Sequence, residues 1–220
     1  MKTILIATSN EGKVREMEKA FEGLPVRLVA LSRLCEVLPD VREIKEPIED
    51  GVTFLENARI KARYYRQQTD LAALADDSGL AVEALDGAPG VYSARYAGTH
   101  GDDAANNAKL LTDLRACGEE NAAAAYHCAL VLALDDGREL SAEGTCSGWI
   151  CPVPRGTGGF GYDPYFRLAD GRSMAELSRG EKHEISHRGA ALRRMKEKLR
   201  EILCAGEQQK VTQDNGGIFM

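Results

Sequence analysis

Apolar and β-branched residues run together from Met1 to Ala7 and then give way to Thr8-Ser9-Asn10. This pattern predicts a buried strand ending in small residues suited to turning and capping. From Glu11 the period changes: Val14, Met17, Phe21 and Leu24 recur at helical spacing until Gly23-Leu24-Pro25. Val26 to Leu31 reads as a second strand, and a polar connector leads on to Glu46-Pro47-Ile48-Glu49-Asp50-Gly51. Thr53 to Gln68 predicts a helix opened by a capping box, Thr53 with Glu56, and striped by Phe54, Ala58, Ala62 and Tyr65. Leu71 to Ala75 predicts a short strand that stops at Asp76-Asp77-Ser78-Gly79.

Asp102 to Cys117 is helical in pattern through Asn107, Leu110, Leu111 and Leu114. Ala124 to Leu134 and Arg138 to Ile150 predict two long strands, joined by the hairpin signal Asp135-Asp136-Gly137. A last helix is predicted near Gly189 to Cys204, with Leu192, Met195, Leu199, Ile202 and Leu203 on one face. Strands and helices that alternate early and end in a long hairpin indicate a mixed α/β sheet. Residues 1–206 are expected to form a single domain, and the polar stretch 207–220 a disordered tail.

Composition narrows the functions open to such a fold. Lys and Arg total 28 against 34 Asp and Glu, a formal charge of −6 over 220 residues. A nucleic-acid coat needs a strong positive excess, so an anionic ligand must be held by a local basic cluster. Six cysteines without a Cys-x-x-Cys pair suit neither a disulfide scaffold nor a zinc site, and the closest two, Cys146 and Cys151, read as small hydrophobes. Neither a signal-peptide core nor an apolar run of about 18 residues is present, so no membrane is expected and the cytoplasm is the default.

Chemistry concentrates in a few segments. Thr8-Ser9-Asn10-Glu11-Gly12-Lys13 places a helix N-terminus and a lysine together, a phosphate cradle in principle, although it is not a Walker loop. Asp76 and Asp77, adjacent in an extended segment, point to opposite sides, so one can aim at a site while the other supports it. Glu46, Glu49, Asp50 and Glu56 add carboxylates, and Asn57 and Lys61 lie one helical turn apart. Such a set suffices for a Mg²⁺-phosphate site, since Mg²⁺ takes one or two carboxylates plus phosphate oxygens.

Gly156, Gly158 and Gly161 match Gly-x-Gly-x-x-Gly, but flanking prolines deny the strand and helix a dinucleotide fingerprint requires. The loop instead offers Phe160 or Tyr162 for stacking on a flat ligand. Lys182, His187 and Arg188 precede a helix start, where cations oppose the dipole unless a local anion compensates.

Taken together, Thr8 to Lys13, Ala75 to Leu80 with Gly87 to Gly98, Gly158 to Pro164, and Ile185 to Gly189 closely resemble the inosine/xanthosine triphosphate pyrophosphatase family. The resemblance runs from Met1 to about Cys204. It implies a long mixed β-sheet flanked by helices, with two lobes around a central nucleotide-binding cleft, in a homodimer. It implies Mg²⁺-dependent hydrolysis of the purine nucleoside triphosphates ITP, dITP and XTP to monophosphate and pyrophosphate. Carried onto this chain, Thr8, Ser9, Asn10, Glu11, Gly12 and Lys13 would bind triphosphate, and Asp77 would be general base and metal ligand. Asp76 and Lys61 would assist catalysis, and Ser78 would touch substrate. Phe160, Gly161, Tyr162, Asp163, Lys182, His187 and Arg188 would hold base and sugar.

Where many members carry two adjacent acids, this chain has Ile48-Glu49, which leaves the second metal acid open between Glu49 and Glu46. A related pyrophosphatase for pyrimidine or modified nucleotides, and a non-catalytic nucleotide sensor, are the competing readings.

Overall fold

The computed structural model describes residues 2–41 and 44–214, the last ten of these by backbone alone. The strands are β1 (Lys2–Ile6), β2 (Val26–Ala30), β3 (Ala72–Val82), β4 (Ala122–Ala133), β5 (Glu139–Ile150) and β6 (Phe166–Arg167). The α-helices are α1 (Glu11–Ala20), α2 (Phe54–Thr69), α3 (Asp103–Ala116), α4 (Arg179–Ile185) and α5 (His187–Asp214). The strands form one sheet in the order β2-β1-β3-β4-β5-β6. β1 is parallel to both neighbours and the remaining pairings are antiparallel, which gives the mixed α/β sheet that the pattern predicts.

The two faces of the sheet follow from strand periodicity. Leu74, Cys128, Leu130 and Leu132 point into a core shared with Val14 and Met17 of α1 and Leu192 and Met195 of α5. Ala73, Ala75, Ala129 and Val131 point the other way, onto Ala58, Ala62 and Tyr65 of α2. A third core gathers Leu80, Leu110, Tyr126, Ile150 and Phe166 beneath α3.

Three predicted boundaries move. β3 does not stop at Ala75: it continues through Asp76-Asp77-Ser78-Gly79 to Val82, paired in register with β4 from Ala73↔Ala133 to Val82↔Ala124. Cationic side chains from the flanking helices hold those polar residues inside the ladder, so no turn is needed there. Gly79 also lets a 3-10 turn over Gly90–Arg95 approach β3, since a Cβ there would lie 2.7 Å from Gly90 O and 2.8 Å from the Phe54 ring. Second, Lys182 lies within α4, a short helix capped by Ser178 with Glu181. Third, α5 begins at His187, where Ser186 Oγ accepts from Gly189 N at 3.1 Å, and its backbone continues past Gly206 to Asp214. The remainder of the expected tail, 215–220, lies outside the described residues.

Candidate active site

The C-terminal end of β1, the middle of β3, the starts of α1 and α5 and the middle of α2 converge on one cleft. Thr8, Ser9, Asn10, Lys13, Glu46, Glu49, Lys61, Asp76, Asp77 and Ser78 line one end. Phe160, Gly161, Tyr162, Asp163, Lys182, His187 and Arg188 line the other. Glu11 and Gly12 do not line it, and Glu11 instead accepts from Ser32 Oγ at 3.3 Å.

Strand alternation separates the two acids. Asp76 shares a face with Leu74 and is completely buried between α1 and α5. Its carboxylate pairs with Lys13 Nζ and, at 3.0 Å, with Arg188 Nε, while Cys128 Sγ lies 3.1 Å away. Burial alone would raise its pKa, but Lys13 and Arg188 outweigh burial and hold the acid well below its ordinary range. The anion that accounts for a cation at the start of α5 is thus the protein's own. Arg188 also donates to Glu16 Oε2 at 2.9 Å and to Ser78 Oγ at 3.0 Å, so Ser78 is engaged inside this cluster.

Asp77 faces α2, whose capping box starts the helix so that Lys61 arrives two turns later beside it. Lys61 Nζ stands 3.3 Å from Asp77 Oδ1 and 3.0 Å from Glu49 Oε2, one ammonium shared by two carboxylates. Burial raises the pKa of Asp77, and the Glu49 charge adds to that, against the opposing pull of Lys61. For Lys61 burial works downward, but Asp77 and Glu49 prevail and keep it protonated. Asp77 Oδ2 is buried and has no hydrogen-bond partner. Glu46 is more remote and accepts from Ser9 Oγ at 3.3 Å.

Asn10 caps α1 by accepting from Gly12 N and Lys13 N at 2.9 and 3.1 Å. The backbone donors expected to be free for phosphate are therefore held by this side chain. Thr8, Ser9 and the Lys13 ammonium remain as the cleft's polar wall.

At the opposite end Phe160 is half exposed, with Lys182 Nζ 5.0 Å and the Arg188 guanidinium 6.0 Å from its ring centre. Asp163 fixes this loop: Oδ2 accepts from Phe160 N at 3.1 Å and pairs with Lys182, and Oδ1 accepts from Tyr126 OH at 3.1 Å. The Tyr126 ring stacks on His187 at 4.8 Å. Burial, reinforced by Arg188, holds His187 well below its ordinary pKa, and its Nδ1 has no partner. Tyr162, expected to be available for stacking, is buried and donates to Ser93 O at 2.8 Å, which leaves Phe160 as the ring open to a ligand.

Glu16, Ser93, Tyr126, Asp103 and Asn107 complete the surroundings, and sequence reasoning singled out none of them for the site. Glu16 lies one helical turn after Lys13, a spacing that could have flagged it, whereas Tyr126 sits in an alanine-rich strand without any local signal.

The family profile described as the Ham1 family matches residues 4–198. The chain belongs to the Ham1 family. A relative named dITP/XTP pyrophosphatase, from Geobacter sulfurreducens, is 48% identical over 200 residues, covering 90% of this chain and 97% of that protein. Another protein of that name, from Yersinia pseudotuberculosis, is 46% identical over 204 residues, covering 91% of this chain and all (100%) of its own. Among solved structures, a HAM1 protein from Coxiella burnetii superposes with a TM-score of 0.81 at 40% identity, covering 91% of this chain and 100% of its own. The sheet order and flanking helices described above are thus those of a Ham1 member, and the cleft is its candidate active site.

Proposed function

We propose that this chain hydrolyses the deaminated purine nucleoside triphosphates ITP, dITP and XTP to the monophosphate and pyrophosphate, removing them from the nucleotide pool. The observation that carries the reading is Asp77: a buried carboxylate of raised pKa with one free oxygen, beside Lys61 and Glu49, in a cleft whose far end offers an open aromatic ring. The names of the relatives support the same substrates.

The triphosphate lies along Thr8 to Asn10 with Lys13 and Lys61 on its oxygens. Asp77 takes the proton of the attacking water, the α–β anhydride bond breaks, and pyrophosphate leaves. A carboxylate positioned beside the attacking water can accept its proton as the new bond forms. At the other end Phe160 stacks on the base, while Lys182 and Arg188 supply donors that suit a 6-oxo acceptor and not an adenine amino group. A mismatch there leaves buried polar groups unpaired, which is an effective basis for rejecting ATP.

Mg²⁺ belongs to this reading. The residues fit it: Asp77 Oδ2 is an orphaned buried acceptor and Glu49 stands across the same ammonium, two carboxylates of the kind Mg²⁺ combines with substrate phosphate and water. Asp77 and Glu49 would hold it, with Glu46 further out. When bound, the ion neutralises charge on the phosphate oxygens.

Among the described residues no helix is long and apolar enough to cross a membrane. All six cysteines are unpaired, which suits a reducing cytoplasm. A homodimer is part of the same proposal. Product analysis tests the reaction. ITP should yield IMP and pyrophosphate in equal amounts, whereas IDP with free phosphate would overturn the assignment.

A further inference from the structure

We propose that Asp103 and Asn107 of α3 are positioning residues for the nucleobase, holding the Gly161 peptide and with it the Phe160 ring. The proposal rests on the base-binding role given above to the Phe160 end of the cleft.

Asp103 opens α3 and is exposed at the cleft, where its Oδ2 accepts from Gly161 N at 2.7 Å. Asn107, one turn on, is buried and donates from Nδ2 to Gly161 O at 2.9 Å and to Asp103 O at 2.7 Å. The N–H and C=O of a single residue are therefore gripped from one helix face. That residue has φ of +62°, a left-handed conformation glycine adopts without a Cβ penalty, and it directly follows Phe160. The main-chain bonds on either side of the ring are thus fixed, from Asp163 to Phe160 N and from α3 to Gly161.

Packing alone does not account for Asn107. It falls on the buried stripe of Leu110 and Leu114, and its Oδ1 is buried with no partner. Leaving such an acceptor unsatisfied costs stability, so the amide is retained for its donor side. Its neighbour Asn106 grips the other wall of the cleft, accepting from Ala97 N at 2.8 Å and donating to Ala94 O at 3.2 Å. α3 thus sets the spacing between the Ala94–Ala97 wall and the Phe160 loop.

Steady-state kinetics on ITP, with inorganic tripolyphosphate as a competing inhibitor, test this. Asp103→Ala should raise KM for ITP about fivefold, the loss expected from one hydrogen bond, with kcat changed less and the inhibition constant of tripolyphosphate unmoved. Asp103→Asn keeps an acceptor and should return KM toward the wild-type value. Asn107→Leu should repeat the KM effect while the melting temperature holds. A lower melting temperature with unchanged KM, or equal changes for ITP and tripolyphosphate, would overturn the proposal. Absence of ITP turnover by the unsubstituted chain would instead overturn the functional reading, and this inference with it.

Discussion

Asp76 and Asp77 are consecutive on β3 yet serve opposite layers of the sheet, Asp76 pairing with Lys13 of α1 and Arg188 of α5, Asp77 with Lys61 of α2. The first ties elements together and the second is the proposed base, and substitution should separate them. Asp76→Asn leaves the buried Arg188 with only Glu16 as a charged partner. Breaking such a pair costs about 3–5 kcal/mol, which urea denaturation would register as a lower midpoint with an unchanged slope.

Asp77→Asn should behave in the reverse way. Because burial makes the charged form of Asp77 unfavourable, the amide should leave the melting temperature at or above that of the parent chain. Turnover should fall by about 10²–10⁴, the usual contribution of a positioned base, while ITP binding measured by calorimetry persists. Full activity in this variant would remove Asp77 from its assigned role.

Lys61 neutralises Glu49 and Asp77 together. In Lys61→Met the two carboxylates face one another without that cation, so the variant should melt at a lower temperature in chelator than the parent. Added Mg²⁺ should then raise its melting temperature more than that of the parent. A melting shift with Mg²⁺ no larger than the parent's would show that these carboxylates do not hold the ion.

His187 predicts a pH dependence. Its pKa in the fold lies well below the ordinary value of 6.5, so the unfolded chain binds a proton that the folded chain refuses. The corresponding stability is complete above that ordinary value and is lost as pH falls below it, by up to about 1.36 kcal/mol per unit. Comparing urea midpoints of the parent and His187→Gln between about pH 7.5 and 5 isolates the effect, and the variant should show the shallower decline.

Much of this arrangement could be read from residue order because its causes are local. The capping box at Thr53 and Glu56 sets the start of α2 and hence the level at which Lys61 emerges. The period-2 rule separates Asp76 from Asp77 before any partner is known. What escaped reading depends on distant residues. Asp76-Asp77-Ser78-Gly79 looks like a turn until β4 and the cations of α1, α2 and α5 are in place, and only then is it the middle of a strand. Asn107 looks like an unremarkable member of a leucine stripe, because Gly161 reaches it from 54 positions away. The Ser178–Glu181 capping box was legible in principle, and it alone could have placed Lys182 on a helix.

Pyrophosphate release measured across ITP, dITP, XTP, ATP, GTP, dTTP and UTP, with and without Mg²⁺, tests the proposed activity most directly. Rapid turnover of ITP, dITP and XTP in Mg²⁺, with the standard nucleotides far slower and little release in chelator, is the predicted result. Equal rates on all the triphosphates, or a preference for dTTP and UTP, would contradict it.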